Sequence, residues 1–384
     1  MKVYFDNAAT TPLHPKVFEK MKKFLSDEFG NPSSIHSFGR TTRVAIEEAR
    51  ETVAQFINAD ESEIYFTSGG TEANNFCLSG IAKTELLESK KNQIIISKAE
   101  HHSILETAEE LEKNNFVVIY NDVLPETIFN YRTFEKNLSE QTSLVSIIHI
   151  NNETGSQNDI KQIADISKKN GSFIHTDTVQ SFGKININVK ELGVDSLSAS
   201  AHKINGPKGI GLAFVKSGTP ISPLIFGGSQ ERNRRGGTEN VAAIVGFAEA
   251  IHIAQNEINY NYDRVKKIRD EFVKGLSSID SKGIRLNGGA DPLPYILSIT
   301  FNSEFYRNDP EAMLMYMDIN GVAVSNGAAC TSGTLKPSHV ILSAGYSVED
   351  ANGTIRFSFG SQNTLEEVEY TLEVLKKMAE KFRR

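Results

Sequence analysis

Cysteine is scarce in this sequence: Cys77 and Cys330 are the only two among 384 residues. Two cysteines cannot form a disulfide framework, and neither stands in a CxxC or Cys/His spacing that would predict a zinc or iron–sulfur site held by this chain alone. Long basic runs are also missing, and 41 Lys+Arg against 48 Asp+Glu give a formal net charge of -7. This balance argues against nucleic acid or an anionic membrane as the main partner.

Long hydrophobic runs are missing too. The most apolar helix candidate, Asn240–Ala254, contains Glu249 and His252 and is too short to span a bilayer. At the N-terminus, Asp6 comes before the apolar core of a signal peptide could form. We therefore expect a protein of the reducing cytoplasm that has no membrane partner.

The composition is that of a globular protein able to bury a large core, with 39% hydrophobic and 23% charged residues. Its length exceeds that of one average domain, so two domains are expected. We predict a large domain over residues 16–258 and a smaller α+β domain that joins residues 1–15 to residues 259–384. A long helical stretch from Val241 to about Ile279 would connect the two.

Short apolar runs alternate with helix-like stretches from about Phe38 to Val215, a pattern typical of an α/β sheet. Helical spacing of apolar residues predicts crossover helices at Glu72–Leu87, Ser103–Lys113 and Ile160–Lys169, which favour parallel neighbouring strands. Only Ala201–Gly209 separates the last two strands, so we predict that the seventh strand is antiparallel to the sixth. The seven strand candidates are Ile64–Thr67, Ile94–Ser97, Phe116–Tyr120, Leu144–Ile150, Phe173–Thr176, Leu197–Ser200 and Ile210–Val215.

Lys203 and Asp177 follow neighbouring strand candidates, at the strand ends where ligands gather in open α/β sheets. A lysine among glycines is usually a surface turn residue, but a lysine at such a cleft can form an imine if low polarity and nearby cations lower its pKa. Asp177 could simply cap a turn. Alternatively, its carboxylate could keep the pyridine nitrogen of a cofactor protonated.

Two further segments follow strand candidates. Gly69–Glu72 opens a helix, where backbone N–H groups can bind phosphate, although a capping box with Thr71 or Ser68 as the cap is an alternative. His101 and His102 come after the strand Ile94–Ser97. Surface or capping side chains are the ordinary interpretation of this pair, whereas an imidazole at a strand end could stack on a cofactor ring and move protons.

The two cysteines have different surroundings. Cys77 lies on the apolar face of the predicted helix Glu72–Leu87 and fits the common case of a cysteine that fills space in a core. Cys330 lies among small residues in SNGAACTSGT, between Gly327 and Gly333. Those neighbours predict an exposed, mobile loop on which a thiolate could act as a nucleophile.

Arg356 lies in the strand-like segment TIRFSFG. An arginine that points inward from a strand is costly unless it binds an anion. The carboxylate of a substrate would satisfy the guanidinium group with two parallel hydrogen bonds. An internal ion pair would satisfy it equally well, and the residues alone leave both interpretations open.

Taken together, the ordered motifs resemble those of the NifS/IscS-type cysteine desulfurases, a group of class V aminotransferases with the pyridoxal phosphate (PLP) fold type I. The resemblance runs from the N-terminus nearly to the C-terminus. Its cysteine motif reads NGAAC where many members of the group have SGSAC. The matching blocks are YFDNAATTP at 4–12, FGNPSS at 29–34, FTSGGTE at 66–72, EHHS at 100–103, NNETG at 151–155, HTDTVQSFGK at 175–184, SASAHKINGPKGIG at 198–211, RRGGTENVAAIVG at 234–246, ACTSGTLKPSHV at 329–340 and IRFSFG at 355–360.

This resemblance implies an α/β fold with a seven-stranded, mostly parallel sheet in the large domain. It also implies roles for individual residues around pyridoxal 5′-phosphate. Lys203 would form the imine with the cofactor, His101 would stack on its ring, and Asp177 would pair with its pyridine nitrogen. The remaining implied contacts are Gly70, Thr71, Ser200 and His202 to the phosphate, Thr238 to the phosphate from a second subunit, Gln180 and Asn152 near the phenolic oxygen, and Arg356, Asn152 and Asn31 to the substrate.

The reaction that the resemblance implies takes sulfur from L-cysteine. Cys330 would attack the substrate sulfur and keep it as a persulfide, and L-alanine would leave. A homodimer and a sulfur-acceptor protein, such as a scaffold for iron–sulfur clusters, are the implied partners. Selenocysteine lysis, transamination and a sulfur-relay or assembly role remain as alternatives; Cys330 disfavours the transaminase, and the intact set of Lys203, Asp177 and Cys330 disfavours a purely structural protein.

Overall fold

The computed structural model describes residues 1–327 and 336–384. Strands and helices alternate along the first two thirds of the chain. The strands of the described residues are β1 (Val3–Tyr4), β2 (Ile64–Thr67), β3 (Gln93–Ser97), β4 (Val117–Asn121), β5 (Thr142–Ile148), β6 (Phe173–Asp177), β7 (Ser196–Ser200), β8 (Gly211–Val215), β9 (Ile284–Leu286), β10 (Ile296–Phe301), β11 (Val322–Ala323) and β12 (Thr354–Ser358).

The helices of the same residues include the three predicted crossovers, each within two residues of its predicted bounds. They are α1 (Pro15–Ser26), α2 (Ser37–Ile57), α3 (Gly70–Glu88), α4 (His102–Glu112), α5 (Tyr131–Asn137), α6 (Ile160–Lys169), α7 (Val189–Leu192), α8 (Gln230–Asn233), α9 (Val241–Asp280), α10 (Pro310–Ile319), α11 (His339–Ser343), α12 (Val348–Asn352) and α13 (Leu365–Phe382). None of the helices described is long and apolar enough to cross a membrane.

Seven strands form the main sheet in the order β2-β8-β7-β6-β5-β3-β4. The run from β7 to β4 is parallel throughout, whereas β8 is antiparallel to both of its neighbours. The predicted sheet, its predominant direction and the reversed seventh strand are therefore confirmed. Every predicted strand is present with bounds that differ by two residues or fewer. Strands such as β3, β5 and β7 are buried along their whole length because helices cover both faces, which explains their continuous apolar runs.

A smaller set of strands lies outside the main sheet. The antiparallel sheet β12-β10-β9 and the parallel pair β1-β11 share a hydrophobic cluster with α13 and the second half of α9. The N-terminal Phe5 belongs to this cluster, with its ring centroid 5.1 Å from that of Phe359 and 6.1 Å from that of Phe272. Such edge-to-face pairs add about 0.5–1.5 kcal/mol each beyond the burial of area. They hold the N-terminus against the C-terminal part of the chain.

Helix α9 contributes to both hydrophobic cores. Its first half places Phe247 and Ile251 against the main sheet, and its second half places Val265 and Phe272 in the smaller cluster. A boundary within this helix, near residue 258, accordingly stays our prediction for where the large domain ends.

An unusual backbone turn precedes α9. Glu231, Arg232 and Asn233 have positive φ angles of 42°, 54° and 62°, and the left-handed conformation costs a non-glycine residue roughly 1–2 kcal/mol. The buried carboxylate of Glu231 accepts two hydrogen bonds from Arg50 of α2, at 2.8 and 2.9 Å, and a third from the backbone N–H of Phe66 at 2.8 Å. This buried ion pair holds the turn in place beside the edge strand β2.

Candidate active site

A cavity of about 570 Å³ lies at the carboxyl ends of the parallel strands. Its size is within the range of small-molecule sites. The ends of β5, β6 and β7 and the start of α3 form one wall, and the N-terminal segment with residues 324–327 and Arg356 forms the other. Of the residues predicted for the site, the cavity is lined by Gly70, Thr71, His101, Asn152, Asp177, Gln180, Ser200, His202, Lys203 and Arg356.

Lys203 ends a short 3₁₀ turn that follows β7 and turns its side chain into this cavity. Its Nζ donates to the backbone carbonyl oxygens of Ala8 at 2.6 Å and Ala9 at 2.7 Å. Burial, and then the nearby charge of Arg356, lower the pKa of Lys203 from 10.5 to about 8. A much larger share of the amine is therefore neutral near pH 8 than for an exposed lysine, which is what a nucleophilic lysine needs.

Asp177 is the last residue of β6, and β6 is the parallel neighbour of β7. The carboxylate is buried, and both of its oxygens accept hydrogen bonds: Oδ1 from the N–H of Val179 at 2.9 Å, and Oδ2 from Nδ2 of Asn74 at 2.7 Å. These two donors fix the orientation of the carboxylate at the cavity wall. The hydrogen bond from Val179, two residues later, also shows that Asp177 caps a turn, which was one of the two interpretations of this residue from the sequence.

Asn74 is a residue of the site that the sequence reasoning missed. Its Nδ2 donates to both Asp177 and Ser103 Oγ, and it lines the same cavity. The signal was present in the helix: Asn74 lies four residues after Gly70 on α3, so the two residues share one face. Since Gly70 was already placed at the cleft, Asn74 should have been expected one turn further along.

His101 caps the N-terminus of α4 and also faces the cavity. Its Nδ1 accepts from the backbone N–H of Ser103 at 3.1 Å and lies 2.8 Å from the hydroxyl of the same residue. Burial lowers the pKa of His101, while the charge of Asp177 opposes that shift. The capping interpretation is confirmed, and stacking on a cofactor ring stays a prediction. His102 is half exposed, and its ring centroid lies 4.8 Å from that of His339.

The start of α3 lies close to the loops after β6 and β7. A Cβ atom added to Gly70 would lie 2.7 Å from Cγ2 of Val179 and 3.6 Å from Cβ of Ser200, so only glycine permits this approach. The other predicted phosphate ligands, Thr71 and His202, line the same cavity. His202 is held by the hydroxyl of Thr10, and burial, followed by the charge of Lys203, lowers its pKa to about 4. A neutral imidazole with one N–H donor is therefore present there at neutral pH.

Arg356 forms an internal ion pair in this structure. Its Nη2 donates to Oδ1 of Asp6 at 2.9 Å, and its Nη1 donates to the backbone oxygen of Asn152 at 3.0 Å. Among the residues described, the buried Nε of Arg356 and the buried Oδ1 of Asn152 have no hydrogen-bond partner. The internal ion pair, one of the two interpretations left open by the sequence, is thus present. Binding of a substrate carboxylate by Arg356 stays a prediction.

Glu100 is a buried acidic residue near Asp177 that was not predicted. It is fully buried, its Oε1 accepts from the N–H of Ile148 at 2.8 Å, and its Oε2 has no partner in the part of the chain described. Burial raises the pKa of Glu100 well above its usual value, and the charge of Asp177 adds to this rise. The carboxyl of Glu100 therefore lies buried beneath the site, with its charged form disfavoured by burial and by the charge of Asp177.

Two of the described residues that were predicted for the site do not line the cavity. Thr238 lines a different pocket, beside Ser68 and Arg235. Asn31 uses its Oδ1 to accept from the N–H of Ser33 at 2.9 Å and does not line the cavity. Cys330 lies outside the described residues.

Cys77 occupies the position expected for it. It is fully buried within α3, and burial raises its thiol pKa to about 12. The thiolate, which is the reactive form, is therefore negligible at neutral pH. The interpretation of Cys77 as a core residue is confirmed.

Comparison with known proteins gives one consistent result. The model of the aminotransferase class-V family matches residues 3–371. The chain is 47% identical to the cysteine desulfurase IscS of Dictyoglomus turgidum over 382 residues, covering 100% of this chain and 95% of the relative. Among solved structures, a NifS-like protein superposes with a TM-score of 0.91 at 36% identity and covers 100% of both chains. SspA, solved in complex with cysteine, superposes with a TM-score of 0.82 at 33% identity, covering 95% of this chain and 100% of SspA.

Proposed function

The chain belongs to the class V aminotransferase family, among its cysteine desulfurases, and we propose that it uses PLP to convert L-cysteine to L-alanine with a persulfide on Cys330. The observation that carries this proposal is the pairing of Lys203 with Asp177. An amine with a lowered pKa and a buried, oriented carboxylate stand at the ends of adjacent parallel strands in one cavity. Imine formation and protonation of a pyridine ring require such a pair.

The remaining cavity residues fit the other parts of PLP. The N-terminal N–H groups of the 19-residue helix α3, with Thr71, Ser200 and the neutral His202, provide donors for a phosphate group. Asn152 also lines the cavity, and its buried Oδ1 has no hydrogen-bond partner among the described residues, so it still requires a donor. The SspA structure with bound cysteine supports L-cysteine as the substrate here.

The chain's own groups then have distinct tasks. When bound, the cofactor would supply an electron sink through a protonated pyridine nitrogen, and the carboxylate of Asp177 would hold that proton. Lys203, with a pKa of about 8, can both accept and donate a proton at its Nζ. Arg356 would exchange its contact with Asp6 for the carboxylate of the substrate.

The sulfur transfer requires a second nucleophile. The thiolate of Cys330 attacks the sulfur of the bound cysteine, and an S–S bond forms as the C–S bond breaks. The carbon keeps the electron pair and accepts a proton, which gives L-alanine. The persulfide on Cys330 then passes its outer sulfur to an acceptor.

The activity is tested directly with the purified protein. We expect a yellow protein that forms equal amounts of L-alanine and sulfide from L-cysteine in the presence of a thiol reductant. Parallel assays with L-selenocysteine and with a keto acid as amino acceptor separate this activity from selenocysteine lysis and transamination. A colourless protein that forms no alanine after incubation with PLP would contradict the proposal and favour the assembly or relay role.

Replacing Asp177 by alanine tests the role of the ring partner. We expect Asp177→Ala to retain some PLP through the phosphate contacts but to lose about 10³-fold in the rate of alanine formation, the scale seen when one preorganised electrostatic contact is removed. Absorbance measures the PLP retained, and chromatography measures the alanine. Asp122→Ala is the control, since the side chain of Asp122 is 53% exposed and forms a surface ion pair with Lys98. An Asp177→Ala enzyme of nearly normal rate would exclude the pyridinium role.

We also propose that the chain forms a homodimer, and that Thr238 completes the phosphate site of the partner subunit. Two observations support this. Thr238 does not line the cavity of its own chain. In addition, Ile35 is 91% exposed beside the pair Phe29 and Phe38, whose ring centroids lie 5.7 Å apart, and these side chains are more than half exposed. Monomeric proteins rarely expose such a group of large apolar side chains.

The dimer is tested by charging this exposed group. We expect Phe38→Asp to shift the protein from the mass of two chains to that of one in light scattering, because a carboxylate buried in an interface costs several kcal/mol. The affinity for PLP should fall when the dimer dissociates, since each site then loses the Thr238 that the second chain contributes. Leu87→Asp is the control, as Leu87 is 73% exposed on α3. A wild-type protein that runs as one chain, with PLP bound, would exclude the shared site.

The identity of the sulfur acceptor stays a prediction. We propose an acceptor protein such as an iron–sulfur scaffold in the cytoplasm, as the resemblance to the desulfurases implies. Capture of proteins that carry sulfur from a labelled Cys330 persulfide would identify it.

A further inference from the structure

Lys184 is a buried lysine for which the reaction above has no task. Only 6% of its surface is exposed. Its Nζ donates to Oε1 of Gln180 at 3.1 Å and lies 5.5 Å from the centroid of the Tyr295 ring. Among the residues described it has no acidic partner, and burial with the charges of Lys203 and Arg356 lowers its pKa to about 7. Lysine is almost never buried without a partner, so this placement requires an explanation.

Gln180 is held between two groups of opposite hydrogen-bonding character. Its Oε1 accepts from Lys184, and its Nε2 donates to the carbonyl oxygen of Ala8 at 3.0 Å. Rotating the amide by 180° would place two acceptors, Oε1 and the oxygen of Ala8, against each other, and two donors, Nε2 and the Nζ of Lys184, against each other. Both hydrogen bonds would be lost. The amide therefore has one orientation. The same oxygen of Ala8 accepts from Lys203, so the network continues to the reactive amine.

The backbone turn after β6 places both side chains together. Gln180 and Lys184 are four residues apart on a compact turn, in which the N–H of Phe182 bonds to the oxygen of Thr178 at 2.7 Å. Gly183 has a positive φ of 71°, and a Cβ atom there would lie 2.8 Å from Cγ2 of Ile204. Only glycine allows this path, and the path directs Lys184 behind Gln180 as seen from the cavity.

We propose that Lys184 is a positioning residue, which fixes the amide of Gln180 so that an Nε2–H, rather than Oε1, faces the cavity. An amide NH₂ group carries two donors. One is bound to Ala8, and the second has no partner among the described residues. It is available to an acceptor in the cavity. The inference rests on the proposed function, in which that acceptor is the phenolic oxygen of PLP.

The variant Lys184→Met tests this role because methionine keeps an unbranched side chain but cannot donate. Replacing a buried charge that has no acidic partner among the described residues by an apolar group of similar volume removes its desolvation cost. We therefore expect the unfolding temperature of the apoprotein to stay the same or rise, while the dissociation constant of PLP increases about tenfold. The absorption maximum of bound PLP should shift as well. If the lysine only filled the core, Lys184→Met would leave both the PLP affinity and the absorption maximum of bound PLP unchanged.

A double variant shows whether Lys184 acts through Gln180. In a Gln180→Leu background, which already lacks the donor, Lys184→Met should not change PLP affinity further. Lys184→Arg keeps a donor, and the cavity of about 130 Å³ beside Lys184 leaves room for the larger group, so its PLP affinity should stay within twofold of the wild type.

Two outcomes would overturn the inference while leaving the proposed function intact. In the first, wild type and Lys184→Met bind PLP with equal affinity. In the second, Lys184→Met lowers PLP affinity tenfold in the Gln180→Leu background as well. A Lys184→Met protein that does not fold would also overturn it, since the lysine would then be structural. Failure of the wild type to bind PLP would instead remove the proposed function itself.

Discussion

Replacing Lys203 by alanine is expected to lower alanine formation from L-cysteine by about 10⁴-fold or more, because one amine supplies both the covalent attachment of the cofactor and the proton transfer. The structure gives the physical reason. Burial and Arg356 lower its pKa to about 8, and the two carbonyl contacts to Ala8 and Ala9 hold the amine at the cavity. Steady-state assays of alanine measure the loss. Lys208→Ala is the control, because Lys208 lies on the same loop but is exposed.

Borohydride reduction locates the attachment independently of the rate. Reduction of the yellow protein followed by peptide mapping should place the pyridoxyl group on Lys203. Lys184 is the sharpest internal comparison, since its pKa is also lowered, to about 7. Its amine, however, points to Gln180 behind the cavity wall. Finding the label on Lys184 would show that the cofactor lysine has been assigned wrongly.

Replacing Cys330 by alanine is expected to stop alanine and sulfide formation, yet to leave PLP binding and the spectral response to L-cysteine as in the wild type. Neither of those steps uses a thiol, whereas removal of the sulfur requires a nucleophile to receive it. After treatment with L-cysteine, the wild-type protein should carry one extra sulfur atom on Cys330 by mass spectrometry. Transamination, if it occurred, would persist in this variant.

Cys77 provides the matched control for that experiment. Cys77→Ala should stay active, and alkylating reagents should modify Cys77 far more slowly than Cys330, because its thiol is fully buried with a pKa of about 12. A Cys330→Ala enzyme that released sulfide at the wild-type rate would exclude the persulfide and leave a lyase mechanism in its place.

Much of the fold follows from local patterns in the sequence. The strands are continuous apolar runs because both faces of the sheet are covered, and the reversed β8 follows from a connection too short for a crossover helix. The convergence of Lys203 and Asp177 could be predicted as well: Asp177 ends β6, Lys203 follows the end of β7, and neighbouring parallel strands end at one edge of the sheet. Each of these features follows from a short, continuous stretch of the sequence.

Contacts between distant segments could not be predicted in this way. The ion pair of Arg356 with Asp6 joins residues 350 positions apart, and the two carbonyls that hold Lys203 come from Ala8 and Ala9. Backbone carbonyls carry no sequence signal, and an acidic residue near the N-terminus gives no indication of its partner. Asn74 differs from these, because its spacing of four residues from Gly70 places both on one face of α3 and is readable from the sequence.

The left-handed turn at Glu231–Asn233 also bears on how two chains would meet. The buried pair of Arg50 with Glu231 holds this turn before any second chain arrives, and the turn leads within five residues to Thr238. A segment that is already rigid loses little conformational freedom on association, so less of the contact energy is spent on ordering it. In the proposed dimer, Thr238 would therefore belong to a surface that is already formed in each chain. The conformational strain of the turn would reduce the free energy of folding of each chain and not the free energy of association.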